Sequence, residues 1–258
     1  MMSRIALAPA FLTMPLAHRG YHDKAMRRPE NSAAAFRAAI DAGYGIELDV
    51  QLTADGKAMV FHDETLDRLT ARTGPVKVLT AAELGEIVLR DSDQTIPTLG
   101  QVLDLVAGRV PLLIEIKDNL DTMLPGSGRL EQAVAETLAA YHGPVAVMSF
   151  NPHCVAEMAR IAPDVPRGLT TEEYDPAKSA PIPEAVCVAL RDIPDYARTQ
   201  SCFISHKASD LGRLRVAELK SQGAAILCWT IRSPEAEAIA RKIAHNITFE
   251  GYRAALPA

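Results

Sequence analysis

Residues 45–62 read Gly-Ile-Glu-Leu-Asp-Val-Gln-Leu-Thr-Ala-Asp-Gly-Lys-Ala-Met-Val-Phe-His. Ile46, Leu48 and Val50 alternate with Glu47 and Asp49, the period-two signature of a strand that delivers both carboxylates to one side near its end. Only the seven residues Gln51 to Lys57 separate it from the apolar run Ala58–Phe61. That is too few for a crossover helix, so the chain must turn straight back. Asp55-Gly56 is the dipeptide of a two-residue hairpin turn. Closed there, Ala54 pairs with Lys57, Val50 faces Phe61 and Leu52 faces Met59, while the other face sets His62 opposite Asp49 with Glu47 one step away. The expected outcome is two carboxylates and an imidazole in one cluster, which a one-residue slip in register would destroy.

Outward from this hairpin, short apolar runs recur, each followed by a helical pattern, the alternation of a parallel sheet. The strand candidates are Leu16–His18, Gly45–Val50, Leu112–Ile116, Val145–Ser149, Gly168–Thr170, Cys202–Ser205, Ala225–Trp229 and Ile247–Phe249, a barrel's worth. Helices are expected over Ser32–Ala42, Thr98–Val106, Leu130–Tyr141 and Leu211–Ser221, each ending at a glycine. Glu184–Leu190 suits helix or strand. No internal repeat or linker divides the chain, so residues 1–258 read as one α/β domain, the usual size of a single barrel.

Composition narrows the function. The 258 residues are 48% hydrophobic and 23% charged, which excludes disorder, collagen and coiled coil. A net charge of −5 without a Lys/Arg block argues against nucleic acid or an anionic membrane as the main partner and favours a small substrate. Cys154, Cys187, Cys202 and Cys228 contain no C-x-x-C pair and read as free thiols of a reducing compartment. Arg4 and the apolar stretch Ile5–Ala17 resemble a signal peptide, but Pro9 and Pro15 interrupt it. A cytoplasmic protein without stable membrane insertion is expected; the oligomeric state is left open.

Two carboxylates held as close as Glu47 and Asp49 repel unless a cation or proton lies between them. Leu112–Lys117 repeats the device, delivering Glu115 and Lys117 to one face. Three carboxylates at two strand ends suit a hard divalent cation, Mg²⁺ or Ca²⁺, better than zinc. His18-Arg19-Gly20 follows the first strand with an imidazole for acid/base work, a guanidinium for phosphate and a glycine for a tight turn against the ligand. Pro29-Glu30-Asn31-Ser32 precedes a helix that Asn31 or Ser32 would cap, with Glu30 a candidate for the site. The other histidines, His22, His142, His153, His206 and His245, read as solvated or locally hydrogen-bonded.

His18-Arg19-Gly20, Pro29-Glu30-Asn31-Ser32, Glu47-Leu48-Asp49-Val50, Leu52-Thr53-Ala54-Asp55-Gly56, His62-Asp63, Glu115-Ile116-Lys117 and Trp229-Thr230-Ile231 resemble, in order and spacing, the glycerophosphodiester phosphodiesterase family. The resemblance spans His18 to about Phe249. It implies a (β/α)₈ TIM barrel with a small insert between residues 63 and 110, and metal-dependent hydrolysis of small-molecule glycerophosphodiesters to glycerol 3-phosphate and an alcohol. By position it makes Glu47, Asp49 and Glu115 ligands of one divalent cation and His18 and His62 an acid/base pair. Arg19 and Lys117 correspond to phosphate contacts and Trp229 to an aromatic near the glycerol, while Phe150 would shape the pocket. Many members read Ile-Thr-Asp where this chain has Ile247-Thr248-Phe249-Glu250, a departure that bears on the closing strand and on substrate preference. Three alternatives stand beside this reading: a lysophospholipase D, an enolate-stabilising lyase or aldolase, and a non-catalytic phosphate-ligand binding protein.

Overall fold

The computed structural model describes residues 4–118 and 120–256. Eight parallel strands close into a barrel: β1 Leu16–Ala17, β2 Gly45–Leu52, β4 Leu112–Ile116, β5 Val145–Ser149, β6 Arg167–Thr171, β7 Phe203–Lys207, β8 Ala225–Ile231 and β9 Asn246–Phe249. β1 pairs with both β2 and β9, so the sheet has no parallel edge. The antiparallel β3, Ala58–Val60, hangs on β2 outside the closed ring. The helices are α1 Ala10–Thr13, α2 Ala33–Asp41, α3 Ala81–Gly85, α4 Leu99–Val106, α5 Arg129–Leu138, α6 Pro152–Ile161, α7 Glu184–Leu190, α8 Leu214–Ser221 and α9 Pro234–Ala240. The ambiguous 184–190 segment is thus helical, and α8 starts at Leu214, three residues later than its apolar pattern, with Leu211 and Gly212 in a turn that follows the 3₁₀ segment at 208–210.

Alternation along the strands separates two cores. Outward-facing Ile46, Leu48, Val50, Leu112 and Ile114 pack under the helices. Inward-facing Leu16, Leu113, Ala146, Met148, Phe203 and Leu227 fill the barrel, with Leu7 and Phe11 packed against them. Gly168 belongs to this interior, since a Cβ there would lie 2.4 Å from the Phe203 ring. Beside and beyond Leu113 the interior becomes polar, at Glu47, which pairs with it, and at Asp49 and Glu115, all buried. The change falls at the carboxyl ends of the strands, where barrels build their sites.

The β2–β3 hairpin departs from the register expected of a two-residue turn. Val50 pairs with Val60, Gln51 with Met59 and Leu52 with Ala58, one residue away from the Val50–Phe61 and Leu52–Met59 pairing. Thr53 is the cause: its N–H donates to the Lys57 carbonyl at 3.0 Å and its Oγ1 accepts from the Lys57 N–H at 2.8 Å. That closes a three-residue loop, Ala54-Asp55-Gly56, with Gly56 left-handed at φ +78°. Val60 and Ala58 then join the helix-side core, whereas Met59 and Phe61 point into a separate apolar cluster with Leu66, Val76, Leu84, Ile87, Leu89 and Ile96. That cluster is the core of the insert. The strand ends at Val60 and the Phe61 N–H still donates to the Asp49 carbonyl at 3.0 Å, so Phe61 and not His62 stands against Asp49; His62 reaches the site from the following loop and the slip does not scatter the cluster.

Candidate active site

At the mouth of the barrel a cavity of about 250 Å³ is lined by His18, Arg19, Glu47, Asp49, His62, Glu115, Lys117, Phe150 and Trp229, together with Met148, Thr230, Arg232 and Thr248. Glu47 and Asp49 project inward from β2, and β2–β4 pairing sets Asp49 directly beside Glu115. Carboxylate oxygens of all three lie within 4.8 Å of one another. Glu30 stands behind the wall, its Oε1 accepting from Arg19 Nη1 at 2.7 Å. Phe150 and Trp229 meet edge to face at 5.4 Å on the aromatic side.

Two cations are built into the acidic cluster. Lys117 Nζ lies 2.5 Å from Glu115 Oε1 and 3.1 Å from Asp49 Oδ1, and Arg19 Nε lies 3.3 Å from Asp49 Oδ2. Burial alone would raise the Asp49 carboxyl, but Lys117, His62 and Arg19 outweigh it and hold it well below the usual range. Burial, Asp49 and Glu115 push Glu47 well up, against a smaller opposing pull from Arg19. The side-chain cations face Asp49 and Glu115, whereas Glu47 is met by the Arg19 backbone N–H, which donates to its Oε2 at 3.0 Å. Buried hard oxygen donors in this state fit a divalent cation.

Each imidazole is held through Nδ1. His18 Nδ1 lies 2.5 Å from Glu250 Oε2, and His62 Nδ1 lies 2.7 Å from Asp63 Oδ1. A carboxylate on Nδ1 fixes the tautomer that leaves Nε2 free as a base; His18 Nε2 is 4.0 Å from Glu47. Burial lowers both imidazoles despite these carboxylates. The family model of the glycerophosphoryl diester phosphodiesterases matches residues 18–247, a span that carries both imidazoles, Asp63, the three carboxylates, Arg19 and Lys117, with Glu250 just beyond it.

This chain belongs to that family. It is a phosphoric diester hydrolase by membership, and the relatives agree. It is 36% identical over 167 residues to a glycerophosphodiester phosphodiesterase of Caldanaerobacter subterraneus, covering 61% of this chain and 66% of that one. It is 28% identical over 232 residues to a putative glycerophosphodiester phosphodiesterase of Bacillus subtilis, covering 86% and 88%. Among solved structures, a phosphodiesterase of Oleispira antarctica in complex with the product sn-glycerol-3-phosphate superposes with a TM-score of 0.74 at 23% identity, covering 94% of each chain. The glycerophosphodiester phosphodiesterase of Thermotoga maritima gives 0.68 at 24% identity, covering 92% and 94%. Both structures share the barrel.

Several polar residues of this phosphodiesterase escape a reading from spacing alone. Asn31, buried at φ +55°, donates from Nδ2 to Asp49 Oδ2 at 3.0 Å. The capping role belongs to Ser32, whose Oγ accepts from the Ala35 N–H. Gly20, at φ +81°, turns against α2 instead of a ligand, and a Cβ there would lie 2.9 Å from that of Ala35. Arg68 of the insert grips Glu30 at 2.7 and 2.8 Å and Asp63 at 2.6 and 2.9 Å, linking the supports of Arg19 and His62. His206 is fully buried on β7, bonded to Thr171 Oγ1 at 2.8 Å and to Asp210 at 3.2 Å, so it is locally hydrogen-bonded and not solvated. A second acidic group joins Asp118, just after β4, with Glu131 and Cys154 in the first turns of α5 and α6. Burial raises both carboxyls, and two helix N-termini disfavour a cation there. Of the thiols, Cys154, Cys187 and Cys228 are buried, Cys202 is half-buried, and all four are free.

Proposed function

We propose that this chain hydrolyses glycerophosphodiesters to glycerol 3-phosphate and an alcohol, acting as one unit with Glu47, Asp49 and Glu115 holding one divalent cation, Mg²⁺ or Ca²⁺. The observation that carries the reading is the convergence of three buried carboxylates from β2 and β4 with two Nδ1-anchored imidazoles around one cavity. A bound cation would supply charge neutralisation for the phosphate oxygens.

The side chains supply the rest. Arg19 and Lys117 face the cavity as donors for the non-bridging oxygens, where charge grows during in-line displacement. Of His18 and His62, one takes the proton of the attacking hydroxyl through Nε2 while the other gives a proton to the departing alkoxide, each worth about 10²–10⁴-fold. The P–O bond to the alcohol breaks as the new one forms, so proton count and charge balance across the pair. Glu250 and Asp63 keep Nδ1 protonated and stabilise the imidazolium that each histidine becomes in turn. Trp229 and Phe150 form an apolar wall for the glycerol carbons.

The test incubates purified protein with glycerophosphocholine and glycerophosphoethanolamine, with and without EDTA, and follows glycerol 3-phosphate. Release that EDTA stops and a divalent ion restores supports the reading; no release in any divalent ion overturns it. Trapping of a cyclic phosphate against ¹⁸O incorporation from water separates attack by the glycerol 2-hydroxyl from attack by water.

A further inference from the structure

A second cavity, of about 280 Å³, lies beside the first and shares none of its lining residues. Three contacts join the two. Glu30 lines the second and bonds Arg19 of the first at 2.7 Å; His22 lines the second and lies 3.7 Å from the Glu250 carboxylate that holds His18; Arg68 lines the second and bonds Asp63, which holds His62. The new cavity therefore adjoins the wall of His18, Arg19 and His62, and Phe150 and Trp229 take no part in it. With the aromatic wall assigned to glycerol, the leaving alcohol extends toward this side.

Its charge is opposite to that of the whole chain. Five lining residues are basic, Lys24, Arg27, Arg28, Arg68 and Arg90, against two acidic ones, Glu30 and Asp91. Five minus two leaves +3 in a protein whose net charge is −5. Arg68 is spent on Glu30 and Asp63, but Arg27 and Arg90 have no carboxylate within 4.0 Å among the described residues. Backbone carbonyls position them instead, Arg27 Nε donating to Asp91 O at 3.3 Å and Arg90 Nη2 to the carbonyls of Thr70 and Asp67. Arg28 Nε is buried and has no hydrogen-bond partner, while its Nη2 lies 3.7 Å from Asp23 Oδ2, and Lys24 Nζ lies 3.7 Å from Asp91 Oδ2. The Arg27 and Arg90 guanidiniums, oriented by carbonyls with their charge left unpaired, form a receptor for phosphate oxygens.

We propose that this cavity is a subsite for a second phosphate carried by the leaving alcohol, so that the preferred substrates are glycerophosphodiesters whose leaving alcohol is itself phosphorylated. The inference rests on the phosphodiesterase reading above and extends it from the reaction to the class of leaving group. It assigns Arg27 and Arg90 to the second phosphate and leaves Arg19 and Lys117 to the one that reacts.

The experiment measures kcat/KM for glycerophosphoglycerol, for the same diester with a phosphomonoester on its leaving glycerol, and for glycerophosphocholine. The phosphorylated diester is expected to exceed glycerophosphoglycerol by about tenfold at low ionic strength, and the ratio should shrink as salt is raised. In R27Q/R90Q, checked for folding by circular dichroism and thermal midpoint, the ratio should approach one. A ratio near or below one in the wild-type protein, or one that the double substitution leaves unchanged, overturns the subsite. If no diester is cleaved, the reaction assignment fails separately. The subsite is then read by calorimetric binding of the phosphorylated diester in EDTA, about tenfold tighter to wild type than to R27Q/R90Q, with equal binding overturning it. Sedimentation with phosphatidylglycerol vesicles that R27Q/R90Q abolishes, without discrimination among the soluble diesters, would assign the charge to a lipid surface and also overturn the proposal.

Discussion

His18 and His62 differ in what holds them. His18 is tied to Glu250, which also bonds Arg232 at 2.8 Å; His62 is tied to Asp63, which Arg68 holds from the insert. Replacing either histidine by Ala should lower kcat by about 10²–10⁴-fold with a small effect on KM, measured by steady-state kinetics. The hydrogen bond from His18 is the main cause holding the Glu250 carboxyl far below the usual range. Glu250→Gln keeps the shape and removes the charge, so it should lower kcat by more than it raises KM and move the basic-group limb of the pH profile. An unchanged profile would show Glu250 to be packing only. Glu47→Gln removes the carboxylate left without a charged partner in the acidic cluster. Calorimetric titration with Mg²⁺ or Ca²⁺ should show cation binding weakened at least tenfold, whereas Glu131→Gln, in the group at the turns of α5 and α6, should leave it as in wild type.

The hairpin formed by β2 and β3 is the element on which site and insert both depend. Its register is set by the Thr53 hydroxyl and by Gly56 at φ +78°. Gly56→Ala should cost about 1 kcal/mol in denaturant unfolding, because a Cβ is strained in the left-handed region. Phe61, buried in the insert core with Met59 and Leu66, is the anchor behind His62. Phe61→Ala should cost about 3–5 kcal/mol and lower activity with it, since His62 and Asp63 follow directly. If stability falls by that amount while kcat/KM is unchanged, the insert does not position His62.

Over the whole molecule, burial lowers the His206 imidazole below its ordinary 6.5, outweighing the upward pull of Asp210. A group whose folded value is depressed binds more protons unfolded than folded in that window. Unfolding free energy should therefore fall as pH drops from 6.5, by up to about 1.4 kcal/mol per pH unit for this group. His206→Gln should make that slope shallower in urea melts between pH 7 and 5. Among the described residues no helix is long and apolar enough to cross a membrane. Much of this architecture is legible locally. Strand alternation and the glycines that follow α2, α4 and α8 announce the barrel, although α5 stops at Leu138, short of Gly143. The i, i+2 spacing puts Glu47 with Asp49 and Glu115 with Lys117, because backbone geometry repeats over two or four residues wherever the chain lies. Other features belong to tertiary structure. The hairpin register turned on a threonine hydroxyl competing with an Asp-Gly turn, and Glu250 reaches His18 across 232 residues only because β9 closes against β1. Arg68 meets Glu30 and Asp63 only once the insert has folded over the barrel mouth. Such contacts carry no periodicity, since they depend on where distant elements come to rest, and the pairing of strands and the packing of the insert core decide that.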